Sequence, residues 1–172
     1  NSNKLLWNFE GANGVKTGFT KKAGRCLVSS AKRDDMQLVC VVLNCGPMFE
    51  ESSAILEYGF QTYKSYQIID VHEAIVSVPV ENGIAGNVDL YPKEDYKVAL
   101  TDYEYANLNI LFETPDFLPI PIKEGEIYGN IIIKVGDDTI KEIPLISNTN
   151  LPIKNFKTSI DRIFKLWNKI KG

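Results

Sequence analysis

The sequence is poor in the residue types that most often carry chemistry. It has a single histidine, His72, and three cysteines, Cys26, Cys40 and Cys45, with no Cys-x-x-Cys pair among them. Without clustered His and Cys a zinc site has no ligands to draw on, and an odd cysteine count argues against a disulfide framework. Cys26 and Cys40 fall in apolar, strand-like runs and read as small buried hydrophobes. No stretch of about 18 uninterrupted apolar residues occurs, so no segment qualifies as a membrane-spanning helix. A charged stretch followed by a short apolar run is also missing from the start, and a secretion signal is therefore expected to have been removed. What is present suffices for a core: 172 residues with 44% apolar content exclude disorder and a collagen-like repeat.

Charge is distributed unevenly. The net charge is −3, but the last nineteen residues hold six basic side chains (Lys154, Lys157, Arg162, Lys165, Lys169, Lys171) against one acid, Asp161. The body is thus more acidic than the total suggests, and the tail is expected to meet a different partner. Within that tail Phe156, Ile160, Ile163, Trp167 and Ile170 recur at helical spacing, with Phe164 beside them. An aromatic and aliphatic stripe flanked by Lys and Arg fits a helix lying in a membrane interface, with Trp167 at headgroup depth.

Ahead of the tail, two patterns follow one another. Val15 to Thr20, Arg25 to Lys32 and Met36 to Asn44 read as three hairpin-linked strands, separated by Lys22-Ala23-Gly24 and Arg33-Asp34-Asp35. The run Leu38 to Leu43 is continuously apolar, which predicts cover on both faces. From Phe49 to Tyr63 the period becomes helical, with Glu50 and Glu51 suited to the first turn. Beyond Ser65 come short alternating runs broken by Gly, Pro and Asn, at 68–71, 74–80, 86–91, 96–100, 107–113, 129–135 and 140–145. Strands at such spacing predict an all-β domain, with Gly136-Asp137-Asp138 as one of its hairpin turns.

One short motif carries chemistry. In Lys16-Thr17-Gly18 a cation, a hydroxyl and a residue without a side chain follow one another at the start of a strand. An extended peptide ending in a carboxylate would find there an ammonium, a hydrogen-bond donor and a backbone it can approach closely. Three common residues recur by chance, and an exposed lysine in a turn is the ordinary alternative. The flanks add specificity: Asn1-x-Asn3-x-Leu5-Leu6, Gly14-Val15, Phe19-Thr20, Ala23-Gly24, Leu27 to Asp34, and Tyr58-Gly59-Phe60 with Tyr63. Together these resemble the low-molecular-mass penicillin-binding proteins, the serine-type D-alanyl-D-alanine carboxypeptidases, in which a Lys-Thr-Gly strand accompanies a Ser-x-x-Lys nucleophile and a Ser-x-Asn motif. The segment 121–145 is similar to the small β-rich domain that follows the catalytic domain in that family, and the tail is similar to its membrane anchor.

The resemblance implies an α+β chain. Residues 1–66 would be the C-terminal part of the penicillin-binding catalytic domain, antiparallel strands plus a helix. Residues 67–151 would form a small all-β sandwich, and 152–172 an amphipathic anchor helix. It implies that Lys16 and Thr17 contact the terminal D-alanine carboxylate, with Gly18 and Thr20 also lining the substrate strand. The backbone N–H of Phe19 would be one oxyanion-hole donor. Many members have His where this chain has Phe19, which should alter pocket shape more than a main-chain role. The partners implied are a peptidoglycan stem peptide ending in D-Ala-D-Ala, β-lactams as inhibitors, and a membrane surface on the outer face of the bacterial cytoplasmic membrane. No cofactor, metal or nucleic acid is expected.

The family's nucleophile and Ser-x-Asn motif have no counterpart here, so the chain alone is expected to be inactive. Surface exposed by truncation would then favour a homo-dimer or strand exchange. Ser29-Ser30-Ala31-Lys32 matches Ser-x-x-Lys literally, but residues three apart share a face only on a helix, and this stretch reads as a strand. His72 reads as an ordinary polar residue. Asp137-Asp138 lacks the oxygen-ligand series of a calcium loop. Two other readings stand beside the carboxypeptidase: a non-catalytic module holding a partner or the envelope, and a β-lactamase relative, which leaves the β-rich domain and basic tail unexplained.

Overall fold

The computed structural model of the chain describes residues 1–81 and 86–152. The amphipathic stripe expected from Phe156 to Ile170 lies outside the described residues. The chain forms two compact units that do not follow one another as simple blocks. One comprises Asn1–Ile68 and Tyr96–Leu108; the other takes Ile69–Asp95 and the described residues from Asn109 on.

In the first unit a short helix α1 (Leu5–Asn8) precedes strands β1 (Ala12–Thr20), β2 (Gly24–Arg33) and β3 (Met36–Val42), which form an antiparallel sheet in the order β1-β2-β3. The turns were legible in their residues. Gly24 adopts φ +67°, where a Cβ would run into the Asn44 side chain. Asp34, at φ 48°, sits in the tight connection between the paired Arg33 and Met36. Helix α2 (Met48–Thr62) carries Glu50 and Glu51 in its first turn and lays Leu56 against β2 and β3. Leu5, Leu27, Ala31, Cys40, Val42 and Leu56 make the buried core, with Phe9, Leu38, Phe49 and Phe60 packed around it.

The expectation that β3 is covered on both faces does not hold. Cys40 and Val42 are buried on the α2 side, whereas Val39 and Val41 are 63% and 57% exposed. Alternate residues of a strand point to opposite faces, and among the described residues α2 covers only one of them.

Strand β4 (Lys64–Ile69) pairs with β7 (Tyr96–Leu100), which brings a distant segment back to the first unit. Lys64 and Lys97 make ion pairs of 2.7 Å with Asp102 and Asp35, and the Tyr66 and Tyr105 rings stack 4.0 Å apart. Asp102 and Tyr105 belong to a one-turn helix α3 (Asp102–Ala106), closed by a capping box between Thr101 and Glu104.

The second unit is a five-stranded sheet built from β5 (Val76–Pro79), β6 (Asn87–Pro92), β8 (Leu108–Glu113), β9 (Ile127–Val135) and β10 (Asp138–Ser147). Its order is β5-β6-β10-β9-β8. Ile131, Ile133, Ile143 and Leu145, on the central pair, are wholly buried. The β9–β10 hairpin turns on Gly136 and Asp137, with Gly136 at φ 59° and Asp138 already paired to Val135.

Candidate functional site

Strand β1 lies at the edge of its sheet, and its entry is fixed by two asparagines. Asn3 is wholly buried; its Nδ2 donates to the Gly14 carbonyl at 2.7 Å and its Oδ1 accepts from the Leu5 N–H at 3.1 Å. Asn1 donates from Nδ2 to the Val15 carbonyl at 2.9 Å, and its Oδ1 accepts from the Asn3 N–H. Helix α1 is thereby tied to the backbone immediately before Lys16.

Hydrogen bonds at the two ends of β2 settle which groups of β1 are free. The Arg25 carbonyl accepts from Cys45 N–H at 2.8 Å, on the β3 side, and the Lys32 N–H donates to Gly11 at 2.9 Å, on the β1 side. Along an antiparallel strand the direction of N–H and C=O alternates residue by residue. Arg25, Leu27 and Ser29 therefore address β3, and the residues opposite them in register, Phe19, Thr17 and Val15, turn their own N–H and C=O to the open edge. Asn1 occupies the Val15 carbonyl and the Lys16 ammonium donates to the Thr17 carbonyl; among the described residues the Thr17 N–H and the main-chain groups of Phe19 are left for a ligand, with Gly18 bare between them.

Side chains alternate as well. Lys16, Gly18 and Thr20 belong to one face, Thr17 and Phe19 to the face that carries buried Leu27 and α2. Lys16 and Thr17 thus flank the edge from opposite sides, with the Lys16 ammonium 3.3 Å from the Thr17 carbonyl. The Thr20 hydroxyl accepts from the Ala23 N–H at 2.9 Å and belongs to the turn. On the Thr17 side opens a cavity of about 390 Å³, walled by Lys4, Thr17, Gly18, Phe19, Arg25 and Phe49. Arg25 is the direct cross-strand neighbour of Phe19, and the Lys4 ammonium stands 5.8 Å from the Phe49 ring centroid. Neither cation stood out in the sequence, because only the register brings Arg25 beside the motif.

Other residues resolve more plainly. Ser29 is wholly buried in β2, and strand alternation sends Lys32 to the opposite face. His72 is exposed, and its backbone N–H donates to Asp70. Cys40 is buried, and Cys26 and Cys45 are partly so, all three as free thiols. Arg33, expected in the polar turn, is the last residue of β2: it lies 4.9 and 4.6 Å from the Phe9 and Phe60 ring centroids and bonds Glu57 at 2.8 Å. That hydrogen bond raises the Arg33 pKa and holds the Glu57 carboxyl below its ordinary range. The cluster fastens the end of β2 to α2.

Comparison with known proteins divides the chain in two. Residues 1–46 match the family of D-alanyl-D-alanine carboxypeptidases, and residues 63–152 match the C-terminal domain of penicillin-binding protein 5. A Bacillus subtilis D-alanyl-D-alanine carboxypeptidase, DacF, is 25% identical over 99% of this chain and 45% of its own length. The Escherichia coli carboxypeptidase DacC is 32% identical over 88% of this chain and 39% of its own. The crystal structure of DacD from Francisella tularensis superposes with a TM-score of 0.64 at 30% identity, covering 88% of this chain and 39% of that one. Penicillin-binding protein 5 of Haemophilus influenzae shares the fold, with a TM-score of 0.68 at 23% identity, over 87% of this chain and 45% of that one. The chain spans less than half the length of these relatives.

Proposed function

Because the chain belongs to the penicillin-binding protein 5 C-terminal domain family and opens on a carboxypeptidase-family segment, we propose that it is the C-terminal portion of a serine D,D-carboxypeptidase. Its substrate is the peptidoglycan stem peptide ending in D-Ala-D-Ala, and β-lactams inhibit it by acylating the same serine. The observation that carries this reading is the open edge of β1. An extended peptide adds to that edge through the Thr17 N–H and the main-chain groups of Phe19, Gly18 letting it approach. Lys16 supplies an ammonium and Thr17 a hydroxyl to the terminal carboxylate from either side. The Phe19 N–H, directed outward, stabilises the oxyanion as one of two donors. The second donor and the nucleophile are contributed from outside these 172 residues, so the isolated chain does not form an acyl-enzyme.

In this reading residues 1–66 complete the catalytic domain, 67–151 form the β-rich domain, and 152–172 attach the enzyme to the outer face of the bacterial cytoplasmic membrane through Phe156, Ile160, Ile163, Phe164, Trp167 and Ile170. Labelling with a fluorescent penicillin tests the proposal. The full-length protein becomes labelled and the isolated chain does not; labelling of the isolated chain overturns the assignment of the nucleophile. Replacement of Lys16 by Ala in the full-length protein lowers kcat/KM for a D-Ala-D-Ala peptide, and unchanged activity removes Lys16 from the site. Liposome flotation with and without residues 152–172 checks the attachment.

A further inference from the structure

We propose that Arg25, seconded by Lys4, binds a carboxylate of the stem peptide in the cavity on the α2 side of β1. The inference rests on the carboxypeptidase reading and deepens it. Arg25 stands opposite Phe19 in the register, on the face that bears Thr17, so guanidinium, hydroxyl and the bare Gly18 edge share one cavity. Among the described residues, two cations and no acidic side chain line that cavity. Neither Arg25 nor Lys4 takes part in any of the ion pairs among the described residues. Lys16 belongs to the other face, so positive charge on the Thr17 side comes from these two residues.

The chemistry selects a planar anion. A guanidinium offers a rigid fork that matches a carboxylate with two parallel N–H···O bonds, while the Lys4 ammonium acts as a compact point charge. The cavity of about 390 Å³ opens beside the same edge that the peptide backbone occupies, so an entering chain places a carboxylate within the fork's reach. A stem peptide carries such a group at its C-terminus and on its acidic side chains. The guanidinium chemistry is common to both, and the experiment separates them.

The full-length enzyme is compared with its Arg25→Gln, Arg25→Lys and Lys4→Gln variants on a D-Ala-D-Ala stem peptide, on the same peptide with its side-chain carboxylates amidated, and on penicillin against penicillin methyl ester. Arg25→Gln raises KM for the unmodified peptide about tenfold with kcat within about twofold, the pattern of binding lost equally from ground and transition states. Arg25→Lys recovers only part of that loss, because an ammonium keeps the charge but lacks the two-pronged fork, and Lys4→Gln gives a smaller increase. Loss of the Arg25→Gln effect on the amidated peptide assigns the side-chain carboxylate. Loss of the effect with the penicillin ester, but not with free penicillin, assigns the terminal one. An Arg25→Gln enzyme with wild-type KM, or one impaired equally on every substrate, overturns the proposal. A wild-type protein that neither cleaves the peptide nor reacts with penicillin overturns the carboxypeptidase reading instead. Arg25 is exposed, so its replacement leaves the core of the unit intact.

Discussion

Leu27 sits directly across from Thr17 and is 1% exposed, so it connects the core of the first unit to the candidate site. Replacing it with Ala removes a buried side chain from among Leu5, Ala31, Cys40, Val42 and Leu56. Truncations of this kind cost about 3 kcal/mol when the surroundings collapse only partly. At about 1.4 kcal/mol per factor of ten, that corresponds to roughly a hundredfold rise in the open population. Val41 is the control: it lies in the neighbouring strand but on the uncovered face, 57% exposed, so Val41→Ala costs under about 1 kcal/mol, or less than roughly fivefold. Amide hydrogen exchange measured on peptides covering Gly24–Arg33 and Met48–Thr62 reads both values directly, since these are the elements that Leu27 joins. Acceleration near a hundredfold for Leu27→Ala, with a small effect for Val41→Ala, is the expected result. Equal effects would show that the Val39 and Val41 face is covered, and an effect under tenfold for Leu27→Ala would show that α2 is not seated on it.

Three further outcomes follow from the packing. Thr101→Ala, which removes the side-chain half of the capping box on α3, destabilises that turn by about 1 kcal/mol, visible as faster exchange at Glu104 and Tyr105. The hydrogen bond from Lys64, then its charge, then a hydrogen bond from Tyr66 hold the Asp102 carboxyl below its ordinary 3.8. A depressed carboxyl stabilises the fold above its unfolded pKa, so this contribution is lost as pH falls through the folded value. An NMR titration of Asp102 shows the low midpoint, and Lys64→Met returns it toward the ordinary one. At Gly129 a Cβ would come within 2.5 Å of the Glu113 carbonyl oxygen and 3.4 Å of the Thr114 Cα, both rigid backbone. Gly129→Ala therefore costs roughly 1–3 kcal/mol in urea denaturation of the second unit; a neutral substitution would mean that β8 and β9 are not packed this closely.

The parts of the fold that could be read from the sequence are those specified by neighbouring residues. Gly24, Asp34 and Gly136 mark left-handed turn positions, and the strands on either side of them begin and end within a few residues of the expected bounds. The helical period of α2 was equally local. Helix α3 escaped notice although Thr101-Asp102-Tyr103-Glu104 spells a capping-box pattern, because five residues are too few to show a period. The return of Tyr96–Leu108 to the first unit could not be read at all. It depends on β4 meeting β7 and on ion pairs from Lys64 to Asp102 and from Lys97 to Asp35, separations that no local pattern encodes.

The candidate site divides in the same way. Lys16-Thr17-Gly18 announces itself because three chemical functions are adjacent in the chain, yet adjacency in a strand places successive side chains on opposite faces. A lysine and a threonine that look like one grip in the sequence become two separate flanks of an edge. What stands beside Thr17 in space is decided by the register with the neighbouring strand, which puts Arg25 across from Phe19, and by Lys4 at the start of α1. The direction of the Phe19 N–H is likewise fixed by a hydrogen bond it does not make, the one from Cys45 to Arg25 on the far side of β2. Motifs therefore report which functional groups are present. Register determines which of them a single ligand can touch at once, and in this unit it sets a guanidinium, a hydroxyl and an open backbone edge around one cavity.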